Sequence, residues 1–165
     1  MLIVFGGLPG TGKTTIARTL AARRAAVYLR IDVIEQALRS ANVLAADVGA
    51  AGYGVAQAVA GSNLATGRVV VADCVNPVPE SRQGWRTIAI RAGKPLLEVE
   101  LICSDPDEHR RRVKQRGSDI DGLALPTWQA VQTRDYAPWP EPHLIIDTAR
   151  STPEEAIAVI ERHME

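Results

Sequence analysis

The chain has 165 residues, and its 19 Lys+Arg balance 19 Asp+Glu, so the formal net charge is zero. At 46% hydrophobic and 23% charged residues it is expected to form one globular domain with a real core, which excludes a disordered chain, a collagen-like repeat or a disulfide scaffold. Balanced charge also weighs against bulk affinity for nucleic acid or a membrane surface, so an anion site has to be built locally, most readily from arginine, 16 of the 19 basic residues.

In chain order, short apolar runs alternate with longer periodic segments, the pattern of an α/β fold with a parallel sheet. A first strand is predicted over 2–5. It runs into Gly7-Leu8-Pro9-Gly10-Thr11-Gly12-Lys13-Thr14, which satisfies G-x-x-x-x-G-K-[ST] at every fixed position. A helix over 13–24 follows, with Ile16, Ala17 and Leu20 on one face. Loop amides and helix N-terminus then converge on one anion, and phosphate is the expected guest. Glycines let the backbone wrap closely around it, Lys13 supplies a point charge toward the β- and γ-phosphates, and the Thr14 hydroxyl suits Mg²⁺.

A second strand over 27–31 ends at Asp32, on the carboxyl edge of the sheet where α/β ligands bind. A carboxylate there can accept the proton of a hydroxyl attacking the γ-phosphate, or orient that hydroxyl; Asp also caps helices, and the roles are compatible. Helices are predicted over 33–39 and 53–65, with Arg39 closing the first within reach of a cleft. The strand over 69–72 is followed by Asp73, placed either to hold a Mg²⁺-bound water or to shape the turn Asp73-Cys74-Val75-Asn76-Pro77. Arg82, in a helix over 80–92, is a second candidate for the acceptor side.

The strand over 97–102 alternates as Leu97-Glu98-Val99-Glu100-Leu101, which predicts one partly exposed face and a less covered place in the sheet. Helices over 106–116 and 153–163 have clear starts, since Asp105-Pro106-Asp107-Glu108 and Thr152-Pro153-Glu154-Glu155 each put a capping side chain before Pro. Arg112 and Arg116 lie one turn apart on one helix face, while the rest of the 110–116 run reads as a solvated basic surface. Loops at 117–125 and 137–142 flank a helix over 127–136, and a loop–helix–loop after an arginine cluster is a lid candidate, about 110–142 in all. Its Trp128, Arg134, Tyr136 and Trp139 either cover a ligand or pack onto the body, packing being the commoner meaning.

The last strand is predicted over 144–146. His109, His143 and His163 share no spacing and carry no assigned chemistry. Cys74 and Cys103 read as small buried thiols, which fits a reducing cytoplasm. The apolar start over 1–5 is too short for a signal peptide and no stretch reaches a membrane span, so a soluble, cytoplasmic protein is expected.

Asp73 is followed by Cys74 rather than by the glutamate that motor ATPases use to activate water, and no Asn-Lys-x-Asp segment is present to read guanine. Water is therefore not the expected acceptor. The arrangement resembles the small P-loop kinases, a group that includes adenylylsulfate kinase, gluconate kinase, chloramphenicol phosphotransferase, polynucleotide kinase and the zeta toxins. The resemblance spans nearly the whole chain, anchored by the Gly7 to Thr15 loop, Asp32 after Leu29-Arg30-Ile31, the Arg112-x-x-x-Arg116 pair, and Leu144-Ile145-Ile146-Asp147-Thr148-Ala149.

It implies a three-layer P-loop NTPase sandwich whose five parallel strands run in the order 2-3-1-4-5, with helices on both faces and a small lid. It further implies ATP- and Mg²⁺-dependent transfer of the γ-phosphoryl group to a hydroxyl of a small molecule. Gly7, Pro9, Gly10, Thr11, Gly12, Lys13, Thr14 and Thr15 would hold the nucleotide, with Arg112 flanking the adenine. Lys13, Asp32 and Arg116 form the expected catalytic set, Thr14 and Asp73 the metal side, and Asp32, Arg39 and Arg82 the acceptor side. Further acceptor contacts are expected from 40–52 and 74–81. Two other readings are a nucleotide-dependent regulatory module that needs no acceptor, and a kinase of a polynucleotide 5′-end or a nucleotide-sugar; neutral charge disfavours the nucleic acid.

Overall fold

A computed structural model describes residues 1–42 and 48–164. Five strands, β1 (Leu2–Gly6), β2 (Val27–Arg30), β3 (Val70–Asp73), β4 (Leu96–Ile102) and β5 (Leu144–Asp147), form one sheet in the order β2-β3-β1-β4-β5. Every neighbouring pair is parallel. The helices are α1 (Lys13–Arg23), α2 (Ile31–Ser40), α3 (Ala51–Ala65), α4 (Pro79–Ala92), α5 (Pro106–Gln115), α6 (Trp128–Gln132) and α7 (Pro153–Arg162). This is the α/β P-loop NTPase fold with the expected strand order.

The period of two along β1 explains the layers. Ile3 and Phe5 enter one core with Ile16 and Leu20 of α1 and Ile157 and Ile160 of α7. Leu2 and Val4 enter the opposite core with Ala56, Ala60 and Leu64 of α3 and Trp85 of α4. β1 is wholly buried because helices cover both faces, as its unbroken apolar run requires. The capping signals also hold. Asp105 accepts the amides of Asp107 and Glu108, and Thr152 and Glu155 form a reciprocal capping box.

Four expectations about the elements need correction. β2 stops at Arg30, and Ile31 begins α2 without an intervening loop. Asp32 is therefore inside the first helical turn; the N-cap is Arg30, with no side-chain cap bond, so Asp32 does not cap. β4 lies inside the sheet, between β1 and β5, and its carboxylate-bearing positions are covered where a partly exposed face was expected, Glu98 being buried and the Glu100 side chain 14% exposed. Its alternating carboxylates are instead neutralised from above: Glu98 pairs with Arg86, and Glu100 accepts from Tyr136 and contacts His143. Finally, the helix predicted over 127–136 is only the five residues of α6, and 137–143 is irregular but firmly attached.

That attachment rests on Arg82. Its guanidinium is buried and donates to the carbonyls of Asn76, Pro77, Ala137 and Pro138, with Trp139 stacked over it at 4.5 Å. Trp139 Nε1 donates to Tyr136 Oη, which donates to Glu100. Gly6 makes room for this ring, because a Cβ there would stand 2.3 Å from Trp139 Cζ2. Arg82 therefore clamps the return of the chain and does not reach the cleft as expected of an acceptor ligand. Cys74 is buried as expected, whereas Cys103 is only half-buried. Among the described residues, no helix is long and apolar enough to cross a membrane.

Candidate active site

The loop between β1 and α1 reverses around three glycines in the left-handed region, Gly7 (φ 129°), Gly10 (φ 90°) and Gly12 (φ 88°). Two of them also permit close approach: a Cβ on Gly7 would lie 2.2 Å from the Leu101 carbonyl oxygen, and one on Gly10 2.5 Å from Val113. Gly12 is the N-cap of α1, so the helix has no side-chain cap, and its first turn carries no acidic residue. Its first amides thus remain for an external anion, helped by the positive end of the helix dipole.

Lys13 is buried, and its Nζ donates to the Leu8 carbonyl at 2.8 Å. Burial lowers its pKa from 10.5 to about 8, against the opposing pull of Asp73 and Asp32. An ammonium held in so dry a place is a strong attractor for polyphosphate.

Two concavities meet at Gly12, Thr15 and Arg112. The smaller, about 540 Å³, is a recess between Ile16, Arg112 and the 148–153 turn. Arg112 is fixed there by Glu108 through Nε, by the Thr148 hydroxyl at 2.9 Å and by the Thr148 carbonyl at 3.0 Å. The Thr148 hydroxyl also lies 3.1 Å from the Thr11 carbonyl, which ties the recess to the glycine-rich loop.

The larger concavity is a cleft of about 1120 Å³. It gathers Pro9, Gly10, Gly12, Lys13, Thr14 and Thr15 with Asp32, Arg39, Asp73 and Arg116. Of the expected residues, Gly7 and Thr11 shape the loop from behind and Arg82 is absent. Part of the expected acceptor loop, 43–47, lies outside the described residues. Arg116 ends α5 half-buried, with Nε lacking any hydrogen-bond partner; burial lowers its pKa while Asp32 opposes that shift. A guanidinium with an unmet donor at the wall of a cleft is a candidate anion contact. Asp73 is buried and accepts from Tyr28 Oη at 2.7 Å through Oδ2.

Three side chains that sequence reasoning passed over shape this site. His109 is buried with Nε2 2.8 Å from the Pro9 carbonyl, so that nitrogen carries the proton and supports the glycine-rich loop, while its ring meets Trp128 edge-on at 5.1 Å. Tyr28 holds Asp73. Arg30, the last residue of β2, stands opposite Asp73 in the sheet register and faces Asp32, Asp73 and Asp119 together. The only sequence signal for Arg30 was its place beside Asp32 at a strand end.

The fold is shared with solved P-loop proteins at low identity. Mycobacterium tuberculosis APS kinase CysC, in complex with AMPPNP and APS, is 23% identical with a TM-score of 0.73, covering 99% of this chain and 97% of its own. A gluconokinase from Sinorhizobium meliloti 1021 is 21% identical with a TM-score of 0.65, covering 98% and 91%. Chaetomium thermophilum Kti12, in complex with ADP-AlF3, is 20% identical with a TM-score of 0.65 over 100% of both chains. No curated protein matches the chain in sequence. The family model described as an AAA domain matches residues 2–134, most of the chain, and the protein belongs to that family.

Proposed function

We propose that the protein is an ATP- and Mg²⁺-dependent kinase that transfers the γ-phosphoryl group to a hydroxyl of a small molecule in the cytoplasm. The observation that carries this reading is the cleft itself, in which Lys13 and the uncapped start of α1 face Asp32, Asp73 and Arg116 across one continuous space. A simple nucleotide sensor has no use for an exposed carboxylate opposite its phosphate loop. The recess beside Arg112 accepts the base, and the loop amides with Lys13 cradle the phosphates. Kinases and a nucleotide-bound relative among the fold neighbours support the same reading.

Thr14 and Asp73 fit a hard cation, because both offer oxygen donors and the two contacts of Asp73 use only Oδ2. A magnesium ion held there would supply charge neutralisation at the phosphates. Asp32, with its side chain 49% exposed, orients the acceptor hydroxyl and takes its proton. Arg116 meets charge developing on the transferring group, and Arg39 faces the acceptor from the end of α2. The 117–143 segment is the lid.

The test is γ-phosphate loss from Mg²⁺-ATP, alone and with a pooled panel of hydroxyl acceptors, with Lys13→Ala as blank. Acceptor-dependent turnover that vanishes in the blank, and that Asp32→Asn loses while retaining nucleotide binding, establishes the kinase. Tight nucleotide binding with no stimulation by any acceptor favours the regulatory module instead.

A further inference from the structure

One guanidinium is shared among three carboxylates at the mouth of the cleft. Arg30 Nη1 donates to Asp119 Oδ1 at 2.7 Å, whereas Nη2 stands 3.7 Å from Asp32 Oδ2 and Nε 3.8 Å from Asp73 Oδ2. Only the contact to Asp119 is a hydrogen bond, and Nε is buried without any partner. Asp32 and Asp73 belong to the body of the domain, but Asp119 comes from the 117–127 loop and is also held by Arg18 of α1. With the loop in place the Arg30 side chain is 11% exposed and that of Asp73 only 4%, so the two charges face each other in a largely dry space. Its remaining counter-charges are Asp32 and Asp73. Tyr28 fixes the Asp73 carboxylate from the side, so the movable member of the pair is Arg30.

We propose that Arg30 is a positioning residue that couples the loop to the two cleft carboxylates, an inference that rests on the phosphotransfer reading above. With the loop down, Asp119 draws the guanidinium off Asp73 and Asp32, leaving them to a metal–nucleotide and to an acceptor hydroxyl. With the loop lifted, Arg30 falls between Asp73 and Asp32 and competes for both with any other cation or donor. An exposed pair such as Arg18–Asp119 is weak and reversible, which suits a contact that must break in each cycle. The arrangement discourages reaction in the open state, when water has free access.

Binding of Mn²⁺ in the presence of AMPPNP, followed by the loss of the free-ion electron paramagnetic resonance signal, tests the coupling without an acceptor or any turnover. Asp119→Asn is expected to weaken Mn²⁺ about fivefold, Arg30→Met to tighten it, and the double variant to match Arg30→Met. Arg30→Gln, which also removes the cation, serves the same cycle if the Met variant does not fold. An Asp119→Asn effect that is absent, or that persists undiminished when Arg30 is replaced, overturns the proposal. Failure of every acceptor to support turnover while the cycle behaves as expected would instead overturn the kinase reading alone. Absence of Mn²⁺–AMPPNP binding in all variants would sink both.

Discussion

The two halves of the segment that crosses the cleft are held in opposite ways. The incoming half, 117–127, touches the body through Asp119, whose partners Arg18 and Arg30 reach it at a half-exposed surface. The returning half, 136–143, is riveted by a buried arginine on backbone carbonyls, a stacked tryptophan and a chain of hydrogen bonds ending on Glu100. Screened ion pairs are individually weak, whereas buried donors on carbonyls cannot be released without desolvation cost. One end of the segment is therefore a latch and the other a post, and any opening is expected at the first.

The contrast is open to direct attack. The largest effect is expected from Arg82→Ala, which takes a donor from four carbonyls, leaves those of Asn76, Ala137 and Pro138 unpaired and empties the space under Trp139; unfolding in urea should show a loss of about 3 kcal/mol or more. Gly6→Ala tests the same post from the other side by driving a methyl into the Trp139 ring, with an expected loss of about 1–3 kcal/mol in the same assay.

The third prediction concerns the loop that both halves flank. On the proposed reading Lys13 holds polyphosphate as an ammonium, and burial lowers its pKa to about 8. Nucleotide affinity should be indifferent to this group below pH 8 and fall by up to about tenfold per unit above it, with proton uptake measurable by calorimetry in buffers of different ionisation enthalpy. The unliganded fold changes in the opposite sense. Between pH 8 and the ordinary 10.5 the unfolded chain binds the extra proton, so stability rises with pH through that window.

The smallest effect is at the latch. Asp119→Asn should change unfolding stability by no more than about 0.5 kcal/mol, yet it should increase protease cleavage within 117–127 at low salt. Hydrogen bonds from Arg18 and Arg30 hold the Asp119 carboxyl at about 2, below its ordinary 3.8. The latch contribution is thus complete above the ordinary value and is lost only as pH falls toward 2. Cleavage equal in wild type and variant would remove the contrast between the two halves.

What the sequence made readable follows the same division. The glycine-rich loop, the two proline-led helix starts and the five strands are written in residues close together in the chain. Arg82, Arg30 and His109 take their meaning from partners far away, 56, 89 and 100 residues distant at Pro138, Asp119 and Pro9. Glu98 and Glu100 illustrate the cost of reading period alone. Alternation along β4 has the form of an exposed face until Arg86, Tyr136 and His143 arrive from elsewhere to satisfy the carboxylates. The aromatic residues around α6 were similarly ambiguous until Trp139 and Tyr136 turned inward and Trp128 met His109.

The riveted return has a consequence for how such a protein diversifies. Because the chain is pinned again at Tyr136 and Trp139, the stretch from 117 to 135 is a span between two anchored points. Lengthening such a span costs closure entropy that grows only with the logarithm of its length. Insertions and exchanges there can remodel the mouth of the cleft while the phosphate cradle, on the far side of both anchors, keeps its shape. The segment is a cassette, and grafting it between family members should change what the mouth of the cleft admits without disturbing the glycine-rich loop.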